Sequence, residues 1–384
     1  MTAVAVTGRG FLTCLGLKPK DVLAAMKEGR KGLREASDDE KRLGVTAVGE
    51  IEKFKFADYY KAAGFKRLMS REASLAIVAA KFALEDAELV PGENVERPKI
   101  DLYTGTGASG LDFRHILRMV NASAGEDGFF DEDLFSTIGL KKIHPLLSFR
   151  ILPNMPPCFL SILHTLQGDN LIFNPWEGNT GQAIVEGFHR ILDGHGPVVV
   201  GGSDVKTHTQ AFVFLNQVGV LPDPDEKEPL GPPGEGAAYL VLESLAAAQE
   251  RKAPIHSMLL SYSECSDPEA GWGFSTDSQK LTSLIQKAVD KAGVKPQFVM
   301  SSKNGFKASD EAEEKAIKEV LGDDVTIYSP KAFLGDTFAA AGAIAMALAS
   351  EVVKETGQVG LVNCFGNGRE RAAFVLGPAR GVNK

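Results

Sequence analysis

Imidazole is missing from everything beyond residue 256. All seven histidines (His115, His144, His164, His189, His195, His208 and His256) lie earlier, so the C-terminal residues can supply no histidine acid or base. Cysteine is sparse too. Cys14, Cys158, Cys265 and Cys364 are widely separated, with no C-x-x-C or zinc-type spacing, and they read as reduced, buried thiols, not a disulfide frame or a metal site. No window approaches the roughly 18 uninterrupted apolar residues of a membrane span. The first residues, Met1 to Gly10, have no charged lead, and their apolar run breaks at glycine, so no secretory signal is expected and the reading is cytoplasmic. Positive charge is not in excess: 42 Lys and Arg stand against 50 Asp and Glu, a net charge of -8. That balance argues against a general nucleic-acid binder, which needs clustered cations to neutralise phosphates. No short repeat or low-complexity tract is present, which excludes solenoids and coiled coils.

What is present is enough apolar residue, 44% of 384, for one large core or two coupled halves. Val4–Gly8 reads as a buried strand, and Lys18-Pro19-Lys20 leads into an amphipathic helix around Asp21–Glu28. Ser70–Asp86 has apolar residues at helical spacing, followed by a strand at Lys99–Thr104. A helix at Ala183–Leu192 precedes strands at Pro197–Val200 and Ala238–Leu242. The prolines and glycines of Leu221–Gly234 require a loop. From Ile255 the pattern restarts: strand Ile255–Ser261, helix Thr276–Ala292, strand Phe298–Ser302, helix Asp310–Leu321, helix Thr337–Glu351, then strands at Val359–Val362 and Ala372–Leu376. Strands alternating with helices predict an α/β protein, with similar halves at 1–250 and 251–384.

Gly105-Thr106-Gly107-Ala108-Ser109-Gly110 spells G-x-G-x-x-G after a strand, the pattern by which glycines let backbone approach a pyrophosphate. Here the strand lies about 100 residues in rather than opening a βαβ unit, and the acidic residues some 20 positions on sit in the polar run Glu126-Asp127-Gly128, not at a strand end. No cofactor is expected.

The stretch Phe173-Asn174-Pro175-Trp176-Glu177-Gly178-Asn179-Thr180-Gly181-Gln182-Ala183-Ile184 is the most informative. The segments flanking it, Pro153–Asp169 and Glu186–Asp204, resemble the β-ketoacyl synthase family of the thiolase-like fold. So do Lys331-Ala332-Phe333-Leu334-Gly335-Asp336 with the Ala340-Ala341-Gly342 that follows, Asn363–Glu370, Gly8-Arg9-Gly10 and Gly234-Glu235-Gly236-Ala237. The resemblance covers nearly the whole chain. It implies a five-layered αβαβα architecture, with an N-terminal half carrying inserted cap and interface segments. In the family a cysteine at the strand-to-helix turn takes the acyl chain, and a helix N-terminus lowers its pKa. Alignment on Ala183-Ile184 puts Glu177 at that cysteine. A carboxylate is electrostatically comfortable at a helix N-terminus, but it cannot form a labile thioester by the family route, and Trp176 adds bulk beside it. The first family histidine falls on Asn304 when Gly305 is matched, or on Ser302 by an ungapped count. The second falls on Asp336, while Lys331 is retained. In the C-terminal glycine loop, Asn367 stands for a gating phenylalanine and Arg369 for a glycine. Cys158 and Cys364 are conceivable replacement nucleophiles, but free cysteines are more often small buried hydrophobes. Cys158 is placed at the start of a helix after Pro156-Pro157.

Losing a thiol and two imidazoles together reads as relief from catalysis. The resemblance therefore implies a chain-length-factor-like partner of an active ketosynthase in polyketide or fatty-acid-type biosynthesis. It would form a heterodimer, or a homodimer if alone, serve an acyl carrier protein, and use helices near Leu111–Asp133 to wall the acyl tunnel. No metal is expected. One alternative is a malonyl-carrier-protein decarboxylase or an atypical 3-oxoacyl-acyl-carrier-protein synthase, although the family's decarboxylating relatives keep histidines for the enolate. Another is an acyl or carrier-protein binding module.

Overall fold

The computed structural model describes residues 3–61, 64, 66–107, 113–217, 219 and 231–379. Its ten-stranded sheet consists of β1 (Val4–Leu12), β2 (Asp101–Thr106), β3 (Asn170–Phe173), β4 (Val198–Val205), β5 (Glu235–Ser244), β6 (Ser257–Ser266), β7 (Phe298–Met300), β8 (Thr326–Tyr328), β9 (Gly360–Cys364) and β10 (Glu370–Gly377), in the spatial order β8-β7-β9-β10-β6-β1-β5-β4-β2-β3. The two ends have the same wiring. In the first, β1 pairs antiparallel with β5, β5 antiparallel with β4, and β4, β2 and β3 run parallel. In the second, β6 pairs antiparallel with β10, β10 antiparallel with β9, and β9, β7 and β8 run parallel. A short antiparallel ladder, Val4 opposite Leu259, joins the two.

The principal helices are α1 (Pro19–Lys27), α2 (Arg71–Asp86), α3 (Phe113–Ala122), α4 (Met155–His164), α5 (Glu177–Leu192), α6 (Thr209–Gln217), α7 (Ser278–Ala292), α8 (Lys307–Leu321) and α9 (Ala341–Thr356). Helices α5 and α9 lie between the two ends of the sheet: α5 packs on β2 and β4 from one side and β10 from the other, and α9 packs on β5 and β9. Helix α2 covers the outer face of β1 and β5, and α7 that of β6 and β10. The layering is αβαβα, as the resemblance implied. Residues of α9 from Ala341 to Val353 are all buried, as a helix enclosed on both faces requires.

Local sequence explains the close packing of α2 on β1. The Ser70 hydroxyl accepts from the Ala73 amide at 3.0 Å and starts the helix, and its alanines let the backbone approach. At Gly10 a Cβ would lie 2.2 Å from both the Ala79 carbonyl oxygen and the Ala83 nitrogen, so no larger residue fits there.

Several elements differ from the sequence reading. The short edge strands β3 and β8 carry no clear alternation; β3 is largely exposed, so burial periodicity could not reveal it. Helix α4 begins at Met155, with Pro156 and Pro157 inside its first turn, where a missing N–H costs nothing. Cys158 therefore lies within the helix and not at its start. The helix expected over Thr337–Glu351 is a 3₁₀ turn, Phe338–Ala340, followed by α9 reaching Thr356. Strand β7 stops at Met300, releasing Ser301 and Ser302 into a loop. Ala108–Gly110 of the glycine-rich string and Leu221–Leu230 of the expected loop lie outside the described residues, as do Leu111 and Asp112. Among the described residues no helix is long and apolar enough to cross a membrane.

Gly10→Val should cost roughly 3 kcal/mol or more, because both clashing groups are backbone and neither can rotate away. A urea unfolding midpoint within error of the parent would contradict that close approach.

Candidate functional site

The turn between β3 and α5 is built before its acidic residue is placed. Asn174 precedes a cis peptide bond to Pro175, and its amide donates to the carbonyls of Thr106 and Gly107, each at 2.8 Å. This ties the turn to the end of β2. The Trp176 amide donates to Asn179 Oδ1 at 3.1 Å, and Glu177 becomes the first residue of α5. Its carboxyl points inward and is 2% exposed. Gly366, in the C-terminal glycine loop, makes room for it: a Cβ there would sit 2.5 Å from Glu177 Oε2.

The structure brings together all the residues singled out for this site. Lys331 Nζ lies 2.7 Å from Glu177 Oε2 and 3.2 Å from Asp336 Oδ2. The Ser302 hydroxyl donates to Glu177 Oε2 at 2.7 Å. Asn304 Nδ2 donates to Asp336 Oδ2 at 3.3 Å, and the Phe338 amide donates to Asp336 Oδ1 at 2.8 Å. Both candidates for the first histidine position therefore line the site, Ser302 on Glu177 and Asn304 on Asp336. The serine is held from behind: its amide donates to Glu313 Oε1 at 2.9 Å, and Asn363 Nδ2 reaches the same oxygen at 2.7 Å.

One buried cation thus serves two buried carboxylates. Burial pushes the Glu177 carboxyl upward, Lys331 opposes that shift, and Asp336 adds to it; the net direction is up. For Lys331, burial favours the neutral amine, but Asp336 and Glu177 more than offset it and hold the ammonium charged. Glu313 is pushed up to about 7, chiefly by burial. Cys364 is fully buried, and burial together with the negative field of Glu177 raises its pKa well above that of a free thiol. Among the described residues, no histidine bonds to Glu177, Lys331 or Asp336: His164 faces Tyr60 and the Ile77 carbonyl, His189 faces Tyr262, and His256 faces Asp86.

Trp176 fills the space beside the site. It is 3% exposed, stacks on Phe214 of α6 at 6.3 Å, and meets Trp272 and Phe338 at 6.2 and 6.1 Å. Asn367 is also buried and donates to the Trp272 carbonyl at 3.3 Å, so the glycine loop is tied to the same aromatic cluster.

A second polar layer, unassigned by sequence reasoning, lies where β2, β4 and α2 meet. Glu72 Oε1 accepts from the Gly107 amide at 3.1 Å and the Ser203 hydroxyl at 3.2 Å. Asp204 is paired with Lys206 and accepts from the Ala339 amide at 3.3 Å. Burial, with Asp204 as neighbour, pushes Glu72 up to about 8. The available signal was three charged residues placed at the ends of otherwise apolar elements.

This architecture, with its turn at the head of a buried central helix, defines a thiolase-like ketosynthase fold. Residues 1–248 match the family model of the beta-ketoacyl synthase N-terminal domain, and residues 258–365 match that of the C-terminal domain. The chain belongs to the β-ketoacyl synthase family. It is similar to 3-oxoacyl-acyl-carrier-protein synthase 2 of Staphylococcus aureus (strain COL), with 24% identity over 371 residues, 92% of this chain and 86% of the relative. The enzyme of the same name from Coxiella burnetii is 23% identical over 371 residues, 89% of this chain and 83% of the relative. Among solved structures, a beta-ketoacyl synthase from Burkholderia phymatum superposes with a TM-score of 0.82 at 21% identity, covering 99% of this chain and 100% of that one. The ishigamide ketosynthase/chain length factor gives 0.80 at 21%, covering 98% and 99%.

The charge count yields two expectations. Lys331→Met strands two buried carboxylates and should cost about 3–5 kcal/mol at neutral pH, whereas Glu177→Gln leaves Lys331 and Asp336 as a neutral pair and should cost under about 1.5 kcal/mol. Equal losses in chemical denaturation would contradict the sharing of one cation. The Glu72 carboxyl binds its proton more tightly folded than unfolded, so folding loses stability as pH rises from about 4.5 to about 8. The drop in thermal midpoint across that range should be smaller in Glu72→Gln; an identical drop would assign it to other groups.

Proposed function

We propose that this chain is a catalytically degenerate β-ketoacyl synthase that acts as the chain-length-factor-like partner of an active, thiol-bearing ketosynthase in polyketide or fatty-acid-type biosynthesis. The observation that carries the reading is the state of Glu177. The side chain at the family's nucleophile position is a buried carboxylate whose one well-placed oxygen is occupied by both Lys331 and Ser302. Acyl transfer needs a nucleophile that can leave its hydrogen bonds and a general base to free it; here Lys331 is held between two carboxylates, Glu177 and Asp336. Decarboxylation of a malonyl group would need neutral or cationic donors facing the developing enolate, and here Lys331, Ser302 and Asn304 are already engaged by Glu177 and Asp336.

The fold is suited to the partner role. Around the segment from Phe113 to Asp133, Leu117 and Val120 of α3 are exposed, and Phe129 and Phe130 are 75% and 63% exposed. Exposed apolar side chains of this size mark a contact surface. We assign them to the interface with the ketosynthase, where they would help wall the acyl tunnel. Two solved structures of the same fold bear the relevant names: the ishigamide ketosynthase/chain length factor, and a type II polyketide acyl-carrier protein in complex with its ketosynthase, which superposes with a TM-score of 0.79 at 16% identity, covering 98% of this chain and 100% of that one. By this reading the partners are an active ketosynthase and an acyl carrier protein, the setting is the cytoplasm, and 1–250 and 251–384 are the two halves of one subunit.

Co-expressed with an intact type II ketosynthase from its own pathway, the chain should co-purify as a heterodimer, and Phe129→Asp/Phe130→Asp should abolish co-purification while leaving the thermal midpoint of the isolated chain within a few degrees. Alone, it should acquire no acyl adduct by intact mass and form no β-ketoacyl product from malonyl and acyl carrier proteins. A monodisperse homodimer that elongates unaided would overturn the proposal.

A further inference from the structure

Beside β1, where α1, α2 and α9 come together, lies a cavity of about 450 Å³, within the range of small-molecule pockets. Its floor is apolar: Phe82 of α2 with Leu17 and Pro19 at the head of α1. At its inner end is Arg9, 6% exposed. Arg9 Nη1 reaches Glu351 Oε2 at 2.5 Å, its Nε lies 3.4 Å from Asp86 Oδ2, and its backbone amide donates to the same oxygen at 2.8 Å. Behind Asp86, His256 Nε2 approaches Oδ2 at 2.9 Å. Burial alone would raise the Asp86 carboxyl, but His256 and Arg9 more than offset it and hold it ionised.

The guanidinium is therefore fixed by two carboxylates. Its remaining nitrogen, Nη2, makes no hydrogen bond among the described residues. Three lysines complete the wall: Lys18 and Lys20 flank Pro19, and Lys354 comes from the last turn of α9. None of them has a carboxylate partner among the described residues. Four cations (Arg9, Lys18, Lys20 and Lys354) and two carboxylates (Asp86 and Glu351) line the cavity, so a net positive charge converges on one concave, mostly apolar space. Low-dielectric walls focus such a field on whatever enters. A rigid arginine with a free N–H is the group that binds an oxyanion with directional specificity.

We propose that this cavity binds an amphipathic organic anion, with its carboxylate or phosphate head against Arg9 Nη2 and the lysine rim, and its apolar body on Phe82, Leu17 and Pro19. The site is separate from Glu177 and shares none of its residues, so its occupancy is independent of whether the chain acts as an inactive partner. It would let the subunit sense a free acid or phosphate ester through α1 and α9, the latter a central helix that packs on both halves of the sheet.

Octanoate, octyl phosphate and octanol, titrated against the full chain by isothermal calorimetry, test this. Octanoate or octyl phosphate should bind in the millimolar range or tighter, with octanol at least about tenfold weaker. Lys18→Glu/Lys20→Glu places acidic residues at a helix N-terminus, where they are tolerated, and should weaken binding of the anion at least about tenfold with an unchanged thermal midpoint. Octanol binding as tightly as the anions, anion affinity unaltered in the double variant, or no anion binding at millimolar concentration would each overturn the proposal.

Discussion

The ion pair between Glu177 and Lys331 joins the two halves of the molecule at their centre, and the surrounding packing is arranged around it. Glu177 comes from the head of α5 in the first half of the chain, and Lys331 and Asp336 from the second. Their separation in sequence is large, so the contact exists only if both halves close on the same inner layer of helices. Two carboxylates around one ammonium is a costly composition for a dry interior. It persists because each charge also has a fixed dipole: the Ser302 hydroxyl for Glu177, and the Phe338 amide and Asn304 side chain for Asp336.

That arrangement explains how the scaffold keeps its shape with a carboxylate at the head of α5. The turn at Asn174–Glu177 is held by the Asn174 side-chain amide on the carbonyls of Thr106 and Gly107 and by Trp176 in its aromatic cluster, neither of which depends on the side chain at position 177. A helix N-terminus that stabilises a thiolate stabilises a carboxylate for the same reason, since both are anions facing unpaired N–H groups. The difference lies in what the anion can then do. Locked by a lysine and a serine, Glu177 is an internal strut. The polar layer of Glu72, Asp204 and Lys206 lies beneath the same region, on Ala339 just before α9, so the heads of both central helices rest on buried charge.

Much of this was legible from residue patterns. Long, fully buried strands such as β1 and β5 and the alanine-rich α2 and α9 have a periodicity or apolar density that burial imposes directly. Edge elements escaped. Strands β3 and β8 are short and partly exposed, and their identity comes from pairing with β2 and β7, not from composition. The site residues Glu177, Lys331, Asp336, Asn304 and Ser302 were nominated by motif resemblance, because glycines and small residues around them fix a recognisable backbone. Glu72 and Lys206 belong to no such motif and surfaced only as neighbours in space.

The amino-acid order alone determined the α/β class, the duplicated rhythm of elements and the absence of imidazole beyond residue 256, since these depend on local periodicity and on which functional groups exist at all. Only the tertiary structure decided that Lys331 is shared between two acids, that Ser302 meets Glu177 while Asn304 meets Asp336, that Cys364 is sealed in the core, and that Arg9 and three lysines line one cavity. Those facts depend on distance and dielectric, which arise when segments far apart in the chain are packed together and water is excluded between them.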